Sequence, residues 1–490
     1  MLFISAERGF LRDGCARWLG RRRQRKFLPQ KIPQLSLATI HSWSSLTYSK
    51  LASVLLRHFV SEEEINEEDW NALFSTCFSD FLDPVIDYTP IDDSITVVDL
   101  SRGPSLAFKD LGMQCLTAVM DFFLKRRKAK LTLLVGTSGD TGPSAMIALK
   151  NKPSMNIIVL YPAHGVSAPQ EAQMLAYDLR LPSAKCFGVE GNSDELDEVI
   201  ESVFLDNSLR NKYHLGTVNS VNVLRLLAQV VHFFHLYLRA KSLNSSIEHV
   251  HVSIPSGAAG HLTASVIAKL MGLPLKNILV GTTVENDILY GMLERGLIQR
   301  KTVAPTLASA MDISVPYNIE RLLFLASQKD KELTKSAMSH LREGIDFQLP
   351  ESIQAWFSSH GLLPFRVSKE EILETIKFTH INGGTVQDPH TSVGIKAAQL
   401  WHSQQHFEVG IVYCMGCACP LKFIDTIELA LGREEAAAAI DSIVSTNMHA
   451  KNLHENMSNI GRLRATKRLN FEKHGQRSWQ ERLVSEIEHI

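Results

Sequence analysis

The sequence predicts an α/β protein built on parallel sheets that are covered by helices on both faces. From about residue 130 onward, short runs rich in Val, Ile and Leu alternate with helix-length amphipathic stretches, which is the pattern of such a sheet. With 490 residues, the chain can bury a large core and is long enough for two or three domains.

Five apolar runs are the clearest strand candidates, because each has the length of a strand rather than of a helix. Ligands bind at the carboxyl ends of strands in sheets of this kind. Three of the candidates are followed by polar or glycine-rich segments, which are therefore the first places to look for a functional site. The candidates are residues 131–135, 156–161, 250–254, 277–281 and 409–413.

Three segments follow one another along the chain. Residues 1–95 are mostly helical in character, and Ser61 followed by three glutamates predicts a helix start. Residues 96–431 carry the α/β pattern. Residues 432–490 lose the strand pattern and become charged and polar, which predicts a tail that is helical or partly disordered.

The overall charge argues against nucleic acid and membranes as partners. Lys and Arg total 51 against 52 Asp and Glu, so no net charge attracts nucleic acid or an anionic membrane surface. No run approaches the roughly eighteen apolar residues that a membrane-spanning helix needs. We expect a soluble monomer or homodimer that acts on a small molecule.

The cysteines and the amino terminus bear on the compartment. Seven cysteines, four of them isolated, do not suggest a disulfide framework, so we expect a reducing compartment, the cytoplasm. The first 25 residues carry seven arginines, which would suit a mitochondrial transit peptide, although Glu7 and Asp13 weaken that interpretation. A solvated basic extension is the alternative.

One lysine stands in a context that suits chemistry. Lys109 follows Phe108 in Gly-Pro-Ser-Leu-Ala-Phe-Lys-Asp, residues 103–110, just before a predicted helix. An amine that is held partly desolvated beside an aromatic ring can act as a nucleophile. The alternative is a surface ion pair with Asp110, which is the commoner role of neighbouring Lys and Asp residues.

Two glycine-rich loops are candidate anion sites. Gly-Thr-Ser-Gly-Asp-Thr-Gly, residues 136–142, and Pro-Ser-Gly-Ala-Ala-Gly-His, residues 255–261, each follow a strand candidate and open a helix. Glycine permits close backbone approach, and a helix amino terminus favours an anion such as a phosphate ester. A plain turn would explain the glycines of the first loop but not its hydroxyl and carboxylate side chains. A nucleotide is possible, yet the spacing fits neither the Walker nor the dinucleotide motif.

A third polar segment suits a substrate phosphate. Asn-Ser-Val-Asn-Val-Leu-Arg, residues 219–225, offers two amides, a hydroxyl and a guanidinium. The guanidinium fork matches the oxygens of a phosphate group. With equal weight, Asn222 could simply cap the following helix and leave Arg225 in solvent.

Three cysteines lie close together in Cys-Met-Gly-Cys-Ala-Cys, residues 414–419. The Cys-x-x-Cys spacing occurs in zinc sites, but the chain has no second cysteine pair to complete one, and a ligand such as His402 or His406 would be needed. Buried cysteines at the end of a strand explain the segment more simply. We therefore predict no metal.

Together and in this order, these segments resemble the threonine synthase family of pyridoxal-phosphate (PLP) enzymes, and within it the threonine synthase-like 2 group. The resemblance runs from about Val97 to Phe423. It implies PLP as the cofactor and the two-lobed fold type II, the tryptophan synthase β-like fold, with a smaller mobile lobe at about residues 115–215. Further matching segments are Gly-Asn-Ser-Asp-Glu-Leu-Asp at 191–197, Glu-Asn-Asp-Ile-Leu at 285–289, Ser-Ala-Met-Asp at 309–312, Asn-Ile-Glu-Arg at 318–321 and Asp-Pro-His-Thr-Ser-Val-Gly at 388–394.

The resemblance also implies roles for individual residues. Lys109 would hold PLP as a Schiff base, residues 257–260 would cradle the cofactor phosphate, and Asp140 would lie near the ring hydroxyl. The expected cofactor-binding residues are Lys109, Asp140, Ser256, Gly257, Ala258, Ala259, Gly260, His261 and Cys417. The expected substrate-binding residues are Ser105, Thr137, Ser138, Thr141, Asn219, Ser220, Asn222, Arg225 and Lys422.

Several positions depart from the family pattern. Cys417 stands where the family has a threonine that meets the pyridine nitrogen of PLP, and a thiol is a weaker hydrogen-bond partner than a hydroxyl. Cys419 replaces a His, His261 replaces an Asn or Asp, and Val223 replaces a Trp. The Pro-Asp-Gly-Gly-Leu stretch of the family is missing before Phe27.

The reaction implied by the resemblance is the loss of phosphate from a phosphorylated amino acid. The likeness to threonine synthase-like 2 implies a phospho-lyase that converts O-phosphothreonine and O-phosphohomoserine to 2-oxobutyrate, ammonia and phosphate. Lys109 would remove the α-proton. Two alternatives remain: a threonine synthase that makes threonine from O-phosphohomoserine, and a protein that binds PLP without turnover.

Overall fold

In the computed structural model of the protein, the described residues are 3–5, 27–191, 193–405, 410–466 and 479–490. The arginine-rich stretch that follows residue 5, Asn192 and residue 409 of the last strand candidate lie outside them. The predicted α/β class is confirmed, since two parallel sheets are flanked by helices. Among the described residues, no helix is long and apolar enough to cross a bilayer.

The amino-terminal segment is a group of short helices that follows a pair of strands. Its elements are β1 (Phe3–Ser5), β2 (Phe27–Pro29), α1 (Leu37–His41), α2 (Tyr48–Arg57) and α3 (Glu67–Thr76). The predicted helix start at Ser61 is wrong, because Asn66 caps α3 by accepting the N–H of Asp69. Trp70 is buried and donates its indole N–H to the carbonyl of Ser53, which ties α3 to α2.

The chain next enters a large sheet and then builds the smaller lobe. The elements are β3 (Asp87–Pro90), β4 (Ile95–Asp99), α4 (Lys109–Arg127), β5 (Leu131–Gly136), α5 (Thr141–Ala148), β6 (Met155–Pro162), α6 (Ala168–Arg180), β7 (Ala184–Val189), α7 (Ser193–Leu205), α8 (Asn207–Lys212) and β8 (Leu215–Gly216). The small sheet is parallel, in the order β7-β6-β5-β8. The predicted domain boundary at residue 95 cuts through the antiparallel pair β3 and β4, which both belong to the large sheet.

The larger lobe completes the six-stranded sheet. The elements are α9 (Val223–Leu243), β9 (Val250–Pro255), α10 (Gly260–Leu270), β10 (Leu275–Thr283), α11 (Ile288–Arg295), β11 (Leu297–Ile298), α12 (Ile319–Ala326), α13 (Lys331–Glu343), β12 (Phe347–Gln348), α14 (Glu351–Ser359), β13 (Leu362–Val367), α15 (Lys369–Gly383), α16 (Pro389–Ser403) and β14 (Val412–Met415). The sheet order is β13-β10-β9-β14-β4-β3, and every pair except β3 and β4 is parallel. β14 begins and ends later than the strand predicted at 409–413.

The carboxyl-terminal tail is helical where it is described. It forms α17 (Ile424–Leu431), α18 (Arg433–Thr446), α19 (Met448–Ser458), α20 (Ile460–Thr466) and α21 (Trp479–Glu488). Leu483 of α21 is fully buried in one cluster with Leu196 and Phe204 of the small lobe. The hydroxyl of Tyr213 donates to Glu488 at 2.5 Å. The last helix is therefore part of the small lobe's core.

Two histidines connect α9 to α10, the helix that follows the loop after β9. The Nε2 atoms of His232 and His261 are 2.6 Å apart, and both rings are buried. Burial, aided by the charge of Lys109, lowers the pKa of His261 to about 3, and burial also lowers the pKa of His232 well below its ordinary value. Both rings are therefore neutral, with the N–H of one donated to the lone pair of the other.

The buried place of Leu483 predicts a large loss of stability when its side chain is shortened. Leu483→Ala should lower the free energy of unfolding by about 2–4 kcal/mol, because it leaves a cavity in the small lobe. Leu429→Ala, at a leucine that is 63% exposed, is the matched control and should change stability by less than about 0.5 kcal/mol. Urea denaturation measures both, and equal effects would contradict the packing of the tail.

The neutral histidine pair predicts acid sensitivity. Because the pKa of His261 is lowered to about 3, its contribution is fully present above the unfolded pKa of about 6.5 and declines as pH falls. Protonation of this histidine in the unfolded chain lowers the free energy of unfolding by about 2 kcal/mol at pH 5 relative to pH 7.5. His261→Asn should reduce the difference in unfolding free energy between pH 7.5 and pH 5 by that amount in urea titrations. An unchanged difference would show that His261 titrates normally in the folded protein.

Candidate active site

A cavity of about 570 Å³ lies between the two lobes. Its walls are the segments that follow strands of both sheets: Thr137 after β5, Ser256 after β9 and Cys417 after β14. The amino-terminal end of α4 adds Lys109. Because the carboxyl ends of parallel strands carry these segments, the two sheets bring separate loops to one place.

Lys109 is the first residue of α4, and the backbone before it is hydrogen-bonded to the loop that follows β14. The N–H of Phe108 donates to the carbonyl of Cys417 at 2.8 Å, and the N–H of Cys419 donates to the carbonyl of Leu106 at 3.0 Å. Leu106 has a φ of +61°, a left-handed conformation that costs a non-glycine residue about 1 kcal/mol or more. These contacts therefore hold Lys109 in one position. Asp110 is not a surface partner of Lys109, because its carboxylate is buried and accepts the N–H and hydroxyl of Ser105.

Asp140 is the charged partner of Lys109. Its Oδ2 lies 3.3 Å from Lys109 Nζ and its Oδ1 lies 2.7 Å from Lys422 Nζ. Lys422 is fully buried and also donates to the carbonyl of Ser105 at 2.9 Å. Burial alone would raise the pKa of Asp140, but the ammonium groups of Lys422 and Lys109 outweigh it and hold this pKa well below its ordinary value. The floor of the cavity is thus an ionised carboxylate between two lysines.

The loop that carries Asp140 is shaped by one hydroxyl and one glutamine. Thr137 Oγ1 accepts the N–H groups of Gly139 and Gly142, each at 3.0 Å. Gln170 Nε2 donates to Asp140 Oδ1 at 2.9 Å. Gly139 has a φ of +140°, and a Cβ there would lie 2.4 Å from the Gln170 amide, so only glycine fits this turn. Ser138 lines the cavity beside it.

The loop after β9 has the form of a phosphate cradle. Gly257, Ala258 and Ala259 donate no backbone N–H to an acceptor within the described part of the chain, and they precede the amino terminus of α10. Ala259 is left-handed, with a φ of +59°. A Cβ at Gly257 would lie 2.9 Å from the carbonyl of Ala310. Free N–H groups at a helix amino terminus are the donors that a phosphate ester needs, so this loop fits the PLP phosphate.

The opposite side of the cavity is built around Asp388. His390 Nδ1 lies 2.9 Å from Asp388 Oδ1, and its Nε2 accepts the N–H of Ala310 at 3.0 Å. Thr391 donates its hydroxyl to Asp388 and accepts the N–H of Cys417 at 2.8 Å. Burial, reinforced by Asp388, raises the pKa of Cys417 well above its ordinary value. Cys417 therefore presents a neutral thiol to the cavity.

The segment after β8 supplies the polar groups that suit a substrate. Asn222 caps α9 by accepting the N–H of Leu224 at 3.0 Å, but Arg225 is buried rather than in solvent. Arg225 Nη1 donates to the carbonyl of Val218 at 2.9 Å. Its Nε has no partner within the described part of the chain, and neither has Asn219 Oδ1 or Gln229 Oε1. All three side chains line the cavity.

Most of the residues singled out from the sequence meet at this cavity. Three lie outside its lining: Ser105 and Lys422 support Asp110 and Asp140 from behind, and Asn222 caps α9. No role follows from the sequence for residues 388–394, and no sequence motif points to Gln170, Gln229 or His232. Those on the lining are Lys109, Thr137, Ser138, Asp140, Thr141, Asn219, Ser220, Arg225, Ser256, Gly257, Ala258, Ala259, Gly260, His261 and Cys417.

Among the described residues, the cysteines form no metal-binding arrangement. In the described ranges, no group of three or more His, Cys, Asp or Glu side chains converges in a way that could hold a metal ion. The Sγ atoms of Cys414 and Cys417 lie 3.7 Å from the carbonyl of Gly394 and 3.8 Å from the carbonyl of Met415. Both cysteines are buried at the end of β14.

Comparison with known proteins agrees with this geometry. Residues 88–337 match the family model described as pyridoxal-phosphate dependent enzyme, and residues 26–78 match the model described as threonine synthase N terminus. Human threonine synthase-like 2 is 36% identical over 383 residues, covering 77% of each chain. Threonine synthase of Saccharomyces cerevisiae is 33% identical over 433 residues, covering 83% of each chain.

Solved structures show the same relationship. The PLP-bound threonine synthase of Brucella melitensis superposes with a TM-score of 0.82 at 28% identity, covering 97% of this chain and 96% of its own. The yeast threonine synthase superposes with a TM-score of 0.79 at 29% identity, covering 94% and 92%. The fold is therefore PLP fold type II and the cofactor is PLP. The chain belongs to the threonine synthase family of pyridoxal-phosphate-dependent enzymes.

Proposed function

We propose that this protein is a PLP-dependent phospho-lyase that acts on phosphorylated hydroxy-amino acids. Its substrates would be O-phosphothreonine and O-phosphohomoserine, which with one water give 2-oxobutyrate, ammonia and phosphate. The observation that carries the proposal is the presence of two candidate anion sites and Lys109 on the lining of one cavity. One is the loop of free N–H groups at 257–259, and the other is the buried Arg225 with its unpartnered Nε.

The residues around the cavity would hold the cofactor from several sides. Lys109 would bind it covalently, residues 256–260 would receive its phosphate, and Cys417 would face its ring nitrogen. When bound, PLP would take up the negative charge that develops at the substrate α-carbon. A protonated thiol at Cys417 stabilises a charged ring nitrogen less than a carboxylate would. More of the stabilisation of the charge at the α-carbon would therefore come from the other groups around the substrate.

Lys109 would move the α-proton. Its side chain is 15% exposed, and its Nζ lies 4.9 Å from the centre of the Phe108 ring and 3.3 Å from Asp140. The ionised Asp140 can stabilise the ammonium that forms when Lys109 takes a proton. Lys422 holds Asp140 from the other side, so the carboxylate stays in place while Lys109 changes its charge.

The substrate phosphate would bind at Arg225 with Asn219 and Ser220. A guanidinium offers a phosphate two parallel N–H bonds, and burial strengthens them because water competes less. Burial lowers the pKa of Arg225 to about 10, so it remains charged at neutral pH. The amino terminus of α5, with Ser138 and Thr141, is available for the substrate carboxylate.

The choice of a lyase over a synthase rests on the number of groups that each reaction needs. Loss of phosphate from O-phosphothreonine needs a base at the α-carbon and a site that receives phosphate, and the residues above provide both. Both reactions consume one water, but threonine formation needs that water held on one face of the bound substrate, whereas the enamine product of the lyase can be hydrolysed without such control. The named relatives include threonine synthases, so synthesis of threonine from O-phosphohomoserine is the second candidate.

Product analysis tests the proposed reaction. The PLP-loaded protein should release phosphate and 2-oxobutyrate in equal amounts from both phosphorylated amino acids, without threonine. Lys109→Ala should lower the rate by about 10²–10⁴-fold, because the base is lost. Threonine from O-phosphohomoserine would establish the synthase instead. No product from either substrate, with the PLP absorption band of the wild type intact and unchanged, would favour a protein that binds PLP without turnover.

A substitution at Arg225 tests the substrate site. Arg225→Lys keeps the charge but loses the fork, so KM for both phosphorylated substrates should rise about 10–100-fold. Arg239→Lys, at an exposed arginine on the same helix, is the matched control and should leave KM unchanged. Steady-state kinetics with released phosphate as the signal measures both. Equal KM values for the Arg225 variant and the wild type would place the substrate phosphate elsewhere.

A further inference from the structure

One buried arginine joins the two anion sites of the cavity. Arg321 lies in α12 and is fully buried. Its Nη2 donates to the carbonyl of Val221 at 2.6 Å, in the segment with Asn219 and Ser220. Its Nη1 donates to the side-chain oxygen of Asn318. One Nη group of the guanidinium therefore contacts the segment at 219–221, and the other contacts Asn318, the residue that precedes α12.

Asn318 carries the connection on to the loop at 257–260. Its side-chain Nδ2 donates to the carbonyl of Ala258 at 3.0 Å, and its backbone N–H donates to the same oxygen at 3.1 Å. The next residue of the loop, Ala259, has the left-handed φ of +59°. Since Asn318 fixes the peptide before this turn, it helps to keep the N–H groups of the loop directed at the cavity.

We infer that Arg321 is a positioning residue that, through Asn318, holds the cofactor-phosphate loop and the substrate-phosphate segment in one fixed arrangement. Arg321 itself does not line the cavity, whereas Ala258 and Val221 at the two ends of the connection do. A planar guanidinium can serve two carbonyl or amide oxygens at once, and the single ammonium of a lysine cannot do so in the same geometry. The substrate half of the inference rests on the proposed function, and the cofactor half does not.

The burial of Arg321 supports this assignment. Burial lowers its pKa to about 10, and the neighbouring Glu320, also buried, acts in the opposite direction. Placing a guanidinium in the interior is costly unless its donors are used. The donors of Arg321 reach the carbonyl of Val221 directly and the loop at 257–260 through Asn318. A fold that needed only apolar packing at this position would be served at lower cost by a hydrophobic side chain.

The test compares Arg321→Lys with variants that act on one loop only. In Arg321→Lys, PLP release from the holoprotein after dilution should be about tenfold faster, and KM for O-phosphothreonine should rise about tenfold with a smaller change in kcat. Ser256→Ala should change PLP release only, and Asn219→Ala should change KM only. Arg57→Lys removes part of an arginine contact to a backbone carbonyl far from the cavity, that of Ile65, which is partly buried, and should change neither.

Each outcome is decisive for the connection. A folded Arg321→Lys protein in which neither quantity moves, or only one moves, overturns the inference. PLP release requires no substrate, so it separates a failure of this inference from a failure of the proposed reaction. If Arg321→Lys does not fold, Asn318→Asp serves instead, because it keeps the acceptor for Arg321 and loses the side-chain donor to Ala258. Faster PLP release supports the connection, and release at the wild-type rate overturns it.

Discussion

The Asp140 carboxylate, buried between Lys109 and Lys422, is the interaction on which the site depends. An isolated carboxylate in this place would cost several kcal/mol, and the two ammonium groups offset that cost. Each of the three side chains comes from a different part of the chain: the start of α4, the loop after β5 and the segment after β14. Folding must therefore complete both lobes before the charges are balanced. Lys109, which lies on the lining, supplies a cation beside the place expected for an anionic cofactor.

The rest of the site is arranged in layers around that centre. Nearest to Lys109, hydrogen bonds between residues 106–108 and 417–419 fix the start of α4. Farther out, Gln170 braces the Asp140 loop, and the bonds of Asn318 and Arg321 hold the two anion-binding segments. In each layer a buried polar group makes a directed bond to backbone or to another buried group. Such bonds orient the loops without placing further ionised side chains in the cavity.

The departures from the family pattern have a common physical character. Cys417 is a thiol kept protonated by burial and Asp388, and His261 is an imidazole kept neutral by burial and paired with His232. His261 also stacks on Phe108, with ring centres 5.3 Å apart, directly beside Lys109. Neutral, weakly donating groups therefore surround the reacting centre on these sides.

The sequence by itself determined the α/β class, the family, the lysine and the two glycine-rich loops, because these depend on local patterns: strand-length apolar runs, and small residues between a strand and a helix. It did not determine which polar residues face the cavity. Asn222 and Arg225 are three residues apart, yet one caps a helix and the other turns a free Nε into the cavity. Likewise Lys422, expected to touch substrate, is fully buried behind Asp140, and Gln170, His232 and Arg321 gain their roles from partners 30, 29 and 100 residues away. Only the tertiary structure decided these roles, because a hydrogen bond depends on distance and direction in space, which spacing along the chain does not fix.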